Sequence, residues 1–496
     1  MKKRFIIMLG IGVMLTYSCK KSLLYPESRT QVSNQDYQPF TTVPRIQAQV
    51  LGLYGNIRNG GFLGGRYQVY NDIKADNWIN QGTNLVTGTS TWNESVSPTT
   101  DEVQNLWRII YGTINNCNLF IDGMVAKGNS VVTATQAANY IAEAKYIRAL
   151  SYYCLLQLYA RPYVDGNGSK PGLPLRLIGN SSAGNYDLAR SSVAEVYAQV
   201  IKDLNDAETG LPLTYGDAVT ITSRAHRNTA IALKTRVYLT MQKYADVITE
   251  ANKIVSPSAP FQATGGTAAA GGVNFALQPD ITNVFKPPYT TTESVFSVPF
   301  NATETPGTQN QLGFYFYNNG AELSAEYYIN PQGVVGDTRF KATDKRLSAL
   351  VKASTNSSRL GFQYLAKYPV PTPYTDWAPV MRYSEVLLNL AEARVRSTST
   401  VDPQAVALLN AVRNRSDNTT TIAAADFASS TQLADAILQE RNLEFLGEGL
   451  RNIDLMRLGL PIPGKSSITA VPFNDSRYIW PIPNNELLYN KLITNN

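Results

Sequence analysis

Histidine is almost missing from this chain: His226 is the only one in 496 residues. Cysteine is confined to Cys19, Cys117 and Cys154, and no Cys-x-x-Cys pair occurs. These scarcities exclude a histidine-rich metal site and a disulfide framework. A Ser-His-Asp arrangement would have to use His226, which sits in Arg224-Ala225-His226-Arg227 just before a helical pattern, with no Gly-x-Ser-x-Gly elbow in the chain. It reads as a polar residue where a helix opens. Cys117 and Cys154 fall on apolar helical faces and read as small buried hydrophobes. Long apolar runs are lacking as well: Phe5–Leu15 is the longest and is too short to span a bilayer. No dense Lys/Arg stripe is present, so no nucleic-acid partner is implied. The net charge of +6 falls to +3 (6 − 3) without Lys2, Lys3 and Arg4.

Those three cations and the apolar run after them have the anatomy of a secretion signal. Leu15-Thr16-Tyr17-Ser18-Cys19 closes the run and resembles a bacterial lipobox. Residues 1–18 are therefore expected to be a lipoprotein signal peptide, Cys19 the lipidated residue, and 19–40 a tether. Acyl chains on one cysteine make a stable anchor without a transmembrane helix.

Apolar periodicity is helical through most of the chain. In Thr229–Val255, Ala230, Leu233, Val237 and Met241 share one face, and Val247 or Ile248, Ala251 and Ile254 share a second after Gln242-Lys243. Two short amphipathic helices with almost no linker must pack on each other. Tyr244 and Ala251 sit where a tetratricopeptide repeat puts its aromatic and small residues. Further helices are expected over 43–58, about 103–124, 135–160, 192–209, 384–397, 403–415 and 432–447. Ser192-Val193-Ala194-Glu195 is a capping box, and Asp402-Pro403 a cap followed by proline at the first helical position. The cluster Asn59-Gly60-Gly61 and Gly64-Gly65 reads as a turn; it carries neither Gly-x-Gly-x-x-Gly nor Gly-Lys-Ser/Thr. Residues 66–100 have loop composition with large aromatics. From 256 to 380 the chain is irregular, with a low-complexity segment Gly265–Gly272 and a short strand at 294–298.

Several blocks occur in a fixed order: AEAKYIRALSYYCLLQLYARP from Ala142, PVMRYSEVLL from Pro379, LLNAVRNR from Leu408, ERNLEFLGEGLRNIDLMR from Glu440 and IWPIPNNEL from Ile479. With the lipobox, this set resembles the SusD/RagB family of outer-membrane lipoproteins of Bacteroidetes over nearly the whole chain. The resemblance implies a mainly α, single globular fold with tetratricopeptide-like helix pairs as scaffold and long irregular loops with a few short strands. It divides into an N-terminal region, 41–255, and a C-terminal region, 256–496, carrying ligand-binding loops. It also implies a nutrient-binding protein that captures oligosaccharides and delivers them to a SusC-like TonB-dependent transporter as its lid. No catalysis, cofactor or metal is implied, and the lipid-anchored protein is expected on the outer membrane, facing the cell surface. The alternatives are a peptide-capturing lid, a glycoside hydrolase and a purely structural subunit. Two departures stand out: Asn452 replaces an aromatic before Asp454, which reads as a local packing change, and no acid follows Cys19 until Glu27.

The carboxylates Glu440, Glu444, Glu448 and Asp454 invite a hydrolase reading. Arg441, Arg451 and Arg457 alternate with them, which favours ionised, mutually satisfied pairs over an acid catalyst with a raised pKa. Glu385, Glu392 and Arg382 read the same way. The ligand candidates are therefore loop aromatics and nearby polar groups: Arg66, Tyr67, Asp76, Trp78, Trp92, Asn93, Tyr289, Tyr315, Tyr317 and Trp377. An aromatic ring covers the apolar face of a sugar while polar groups bond its hydroxyl rim. Trp480, in Trp480-Pro481-Ile482-Pro483, is assigned to packing.

Overall fold

A computed structural model describes residues 38–82, 84–263, 271–318 and 325–496. Cys19 and most of the Gly265–Gly272 segment lie outside the described residues. The expected helices form where periodicity and caps put them. In Val43–Ile57 the buried residues Ile46, Val50, Leu53 and Ile57 recur at steps of four and three. Each such apolar side chain contributes about 1.5–3 kcal/mol when removed from water. Thr133 and Gln136 form a capping box that opens Ala134–Tyr159. Ser192 and Glu195 do the same for Val193–Gly210: Glu195 N donates to Ser192 Oγ at 3.2 Å and Ser192 N to Glu195 Oε2 at 2.7 Å. Asp402 accepts from Ala405 N at 2.8 Å and starts Pro403–Ser416.

The helices pack in succession. Ala134–Tyr159 lies between Asp101–Ala126 and Val193–Gly210, and Tyr383–Thr398 packs on Pro403–Ser416 and Ser430–Glu444. Arg227–Thr240 joins the two groups, touching Val193–Gly210, Tyr244–Ala251 and Tyr383–Thr398. Its sequence suggests one apolar stripe, yet it is buried nearly all round. Lys234 reaches Glu208 and Glu250, and Arg236 reaches Glu385 with contacts of 2.5 and 2.6 Å. Charged side chains on a buried helix hide its surroundings from a periodicity count. One continuous hydrophobic core runs from Ile46 to Ile493. Cys117 and Cys154 are buried and free. Among the described residues, three two-stranded antiparallel sheets decorate the helices: Trp78–Asn80 with Tyr327–Ile329, Ser294–Val298 with Ala378–Arg382, and Val351–Ala353 with Gln363–Leu365. No described helix is long and apolar enough to cross a membrane.

Residues 66–100 depart from the expected loop. They contain the helix Arg66–Ile73, the strand Trp78–Asn80 and a helical turn Thr89–Trp92. The first helix buries Gln68, Asn71 and Asp72 along with Tyr67, Val69, Tyr70 and Ile73, so burial all round leaves it no apolar stripe. His226 also differs: it opens Arg227–Thr240 by backbone, but its side chain makes no cap bond. It is fully buried, neither ring nitrogen has a partner among the described residues, and burial pushes its pKa down to about 3. A desolvated, unpartnered imidazole stays neutral.

Candidate functional site

A cavity of about 670 Å³ opens between the Asn59–Arg66 turn, the start of Asp101–Ala126 and the loop around Asn310. Glycine shapes the turn that walls it. A Cβ on Gly60 would meet Pro306 O at 1.9 Å, and one on Gly65 would meet Asn310 O at 1.8 Å. The turn residues thus let the 306–310 backbone lie directly against them.

Arg66 projects from this wall at the head of its helix. Its Nε donates to Asn310 Oδ1 at 2.7 Å, Nη1 to Tyr70 Oη at 3.2 Å and Val86 O at 2.7 Å, and Nη2 to Gln309 O at 3.1 Å. All four acceptors are neutral, and Arg66 has no ion pair among the described residues. The planar fork is therefore fixed in place without being neutralised. Glu102 also lines the cavity; its Oε1 accepts from Ser90 N at 3.2 Å and its Oε2 from Thr91 N at 3.0 Å and from the Thr91 hydroxyl. Burial raises its pKa, and the Thr91 bonds oppose the rise. Asn59, Asn105 and Asn310 add amides to the lining, while Leu85 and Val86 stand exposed at its edge. The cavity offers amide and guanidinium donors and acceptors beside small apolar patches. That equipment suits a polyhydroxylated ligand.

Of the ten candidates, only Arg66 lines this cavity. Tyr315 lies behind it: fully buried, it donates to Gln309 O at 2.9 Å and carries the Arg66 guanidinium 6.0 Å from its ring centre. Trp78 has no exposed surface and stacks on Phe316 at 4.2 Å. Trp92, 7% exposed, donates from Nε1 to Trp78 O at 2.8 Å. Tyr67 is buried in the core. Asp76 is held in a two-bond ion pair by Arg451 at 2.8 and 2.9 Å. These aromatics stand in polar sequence because their neighbours make hydrogen bonds, not because the rings face water. Asn93 is exposed and Tyr317 half-buried. Tyr289 and Trp377 stack on each other 5.6 Å apart beside a separate, minute cavity of about 10 Å³. Tyr289 Oη donates to Asp376, whose pKa burial pushes up to about 7. Asn59, Tyr70, Glu102 and Asn310 were not singled out from sequence. The glycine cluster beside Asn59 was the available signal, since paired glycines mark a close backbone approach.

The charged block forms scaffold. Glu444 accepts from Arg346 at 3.1 Å, Arg382 at 2.8 Å and Arg415 at 2.5 Å. Burial alone would raise its pKa, but Arg415, Arg382 and Arg346 hold it well below the carboxylate range. Glu440 pairs with Arg346 and Arg413, Glu448 with Lys367 and Arg382, and Asp454 with Arg441 and Arg457. Asn452 is buried and donates to Asn71 Oδ1 at 3.3 Å, linking two helices. Trp480 packs on Tyr70 and Tyr159. Gly459–Ser466 has phosphate-loop spacing, but no helix follows it, and Lys465 Nζ is buried, donating to Ile73 O and Lys74 O at 2.7 Å. It is a structural segment.

Among the described residues, a helical scaffold thus carries a polar cavity and a block of carboxylates paired with arginines and lysines. Residues 33–239 match the family described as starch-binding associating with outer membrane, and residues 249–496 match the SusD family. The chain belongs to the SusD family. A SusD superfamily protein from Bacteroides fragilis, solved by crystallography, is 33% identical; the match covers 92% of this chain and 100% of that one, with a TM-score of 0.79. A SusD-like protein of Formosa agariphila is 22% identical, matched over 93% of this chain and 90% of its own. Surface glycan-binding protein A from Bacteroides thetaiotaomicron, solved with laminarihexaose, is 19% identical, with a TM-score of 0.70 over 92% of this chain and 100% of that one.

Proposed function

We propose that the protein is a carbohydrate-binding lipoprotein of the outer membrane, anchored through Cys19 and facing the cell surface. It captures oligosaccharides in the Arg66 cavity and passes them, without chemistry of its own, to a SusC-like TonB-dependent transporter that it covers as a lid. The observation that carries this reading is the cavity itself: a preorganised Arg66 fork with only neutral partners, set among amides. Such a site bonds a sugar's hydroxyl rim, with Leu85 and Val86 against its C–H faces. The family description and the laminarihexaose-bound relative support the ligand class. Ionised, paired carboxylates in the charged block support a non-catalytic role.

The test is calorimetric titration of the full chain, in a non-glycosidic detergent, with a panel of oligosaccharides including laminarihexaose. Saturable binding without new reducing ends is expected. Arg66→Ala should weaken it about 10- to 100-fold, the loss of one charge-assisted hydrogen-bonding group. Absence of binding to every carbohydrate, or binding indifferent to Arg66→Ala, overturns the reading. New reducing ends would make the protein a hydrolase, and binding confined to a peptide pool would make it a peptide-capturing lid.

A further inference from the structure

Two more cavities adjoin the Arg66 site. One, about 450 Å³, shares Asn59 and Asn310 with it. The next, about 340 Å³, shares Gly55, Arg58 and Glu304 with the second. The three therefore neighbour one another in order, sharing lining residues at each junction, along the Val43–Ile57 helix and the turn after it. The Arg58–Glu304 pair stands on the second junction, with Nη1 to Oε2 at 2.6 Å and Nη2 to Oε1 at 2.9 Å, both side chains partly exposed. The far cavity has a mixed lining, the apolar faces of Leu51, Tyr54 and Pro299 standing beside Thr220, Ser223 and Arg224. The Tyr54 hydroxyl is spent on Glu143 at 2.6 Å, so Tyr54 offers a ligand its ring face.

Gly55 lines both the second and third cavities, yet the fold does not require a glycine there. A Cβ at that position would meet nothing within 4 Å, and no positive φ is involved. Glycine in a helix interior costs about 0.5–1 kcal/mol relative to alanine. What it leaves is a bare floor at the junction. The first cavity alone falls within the range of about 300–1,000 Å³ that a drug-sized ligand fills. A compact ligand would therefore leave the other two empty.

We propose that the three cavities are one continuous groove for a single extended chain. The ligand is a linear oligosaccharide that starts at Arg66, crosses Asn59 and Asn310, passes the Arg58–Glu304 pair and ends over Leu51 and Tyr54. This deepens, and rests on, the carbohydrate reading above.

The test uses the full chain and four ladders, laminari-, malto-, cello- and xylo-oligosaccharides, from disaccharide to octasaccharide. For the ladder that binds, affinity should climb about tenfold or more between trisaccharide and hexasaccharide and then level off. Gly55→Trp fills the junction and should abolish that gain while leaving trisaccharide affinity within about twofold of wild type. Gly52→Trp is the control: its Cβ also meets open space, and Gly52 lines none of the three cavities. It should keep the gain. Wild-type affinity that stops rising at the trisaccharide overturns the groove and leaves the carbohydrate reading standing, as does a Gly55→Trp protein that climbs like wild type. The wild-type ladder decides the matter even where the variant misfolds. Failure of every ladder to bind overturns both.

Discussion

Replacing Glu392 by glutamine tests the claim that the charged block holds the fold together. Glu392 is fully buried and accepts from Arg457 at 2.8 and 2.6 Å and from Arg396 at 2.7 Å. Burial by itself would raise its pKa, but Arg457 and Arg396 bring it from 4.5 down to about 2. A gap of about 2.5 pH units (4.5 − 2) corresponds to about 3 kcal/mol of folding stability. Removing one partner of a buried pair costs about 3–5 kcal/mol, which agrees. Because the folded pKa is depressed, this stability is fully present above pH 4.5 and is lost as pH falls through about 2. Urea unfolding of wild type and Glu392→Gln is the assay. At pH 7 the variant should be about 3 kcal/mol less stable, and the gap should shrink to under about 1 kcal/mol near the folded pKa. A gap that stays constant with pH, or one below about 1 kcal/mol at pH 7, would refute the reasoning.

Three further outcomes follow from other sites. Gly60→Ala forces a Cβ toward Pro306 O, 1.9 Å away, and should cost about 1–3 kcal/mol in chemical denaturation while opening the cavity wall. His226 is the only histidine, so its imidazole resonances are unambiguous; they should show a neutral ring well below pH 6, with stability falling as pH drops from 6.5 toward about 3 because only the unfolded chain takes up the proton. His226→Phe should remove that slope. Arg66→Lys keeps the charge but loses the fork to Asn310, Val86 and Gln309, and calorimetry should place its ligand affinity between wild type and Arg66→Ala.

The long helices were legible where the chain carries an apolar stripe, as in Ile46–Val50–Leu53–Ile57, or a cap, as in the Ser192–Glu195 box. The Arg66–Ile73 helix was not, since it is buried on every side and the polar Gln68, Asn71 and Asp72 stand among its buried residues; Asp72 finds its partner far along the chain, accepting from Gly449 N at 3.1 Å. The site was half legible for a related reason. Arg66 and the glycine turn beside Asn59 could be picked out, but composition does not separate a ring that faces solvent from one that is sealed. Trp78 sits in polar sequence and Tyr315 in an aromatic run, and both are fully buried. Asn310 joins the cavity across a sequence gap of 244 residues, and no local pattern announces such a contact.

The most direct measurement is a crystal structure of the protein with the tightest-binding oligosaccharide from the panel. The account predicts sugar density in the cavity between Arg66, Asn59 and Asn310, with at least one sugar hydroxyl bonded to the Arg66 guanidinium. Density for the sugar elsewhere, with the Arg66 cavity filled only by solvent, would contradict it.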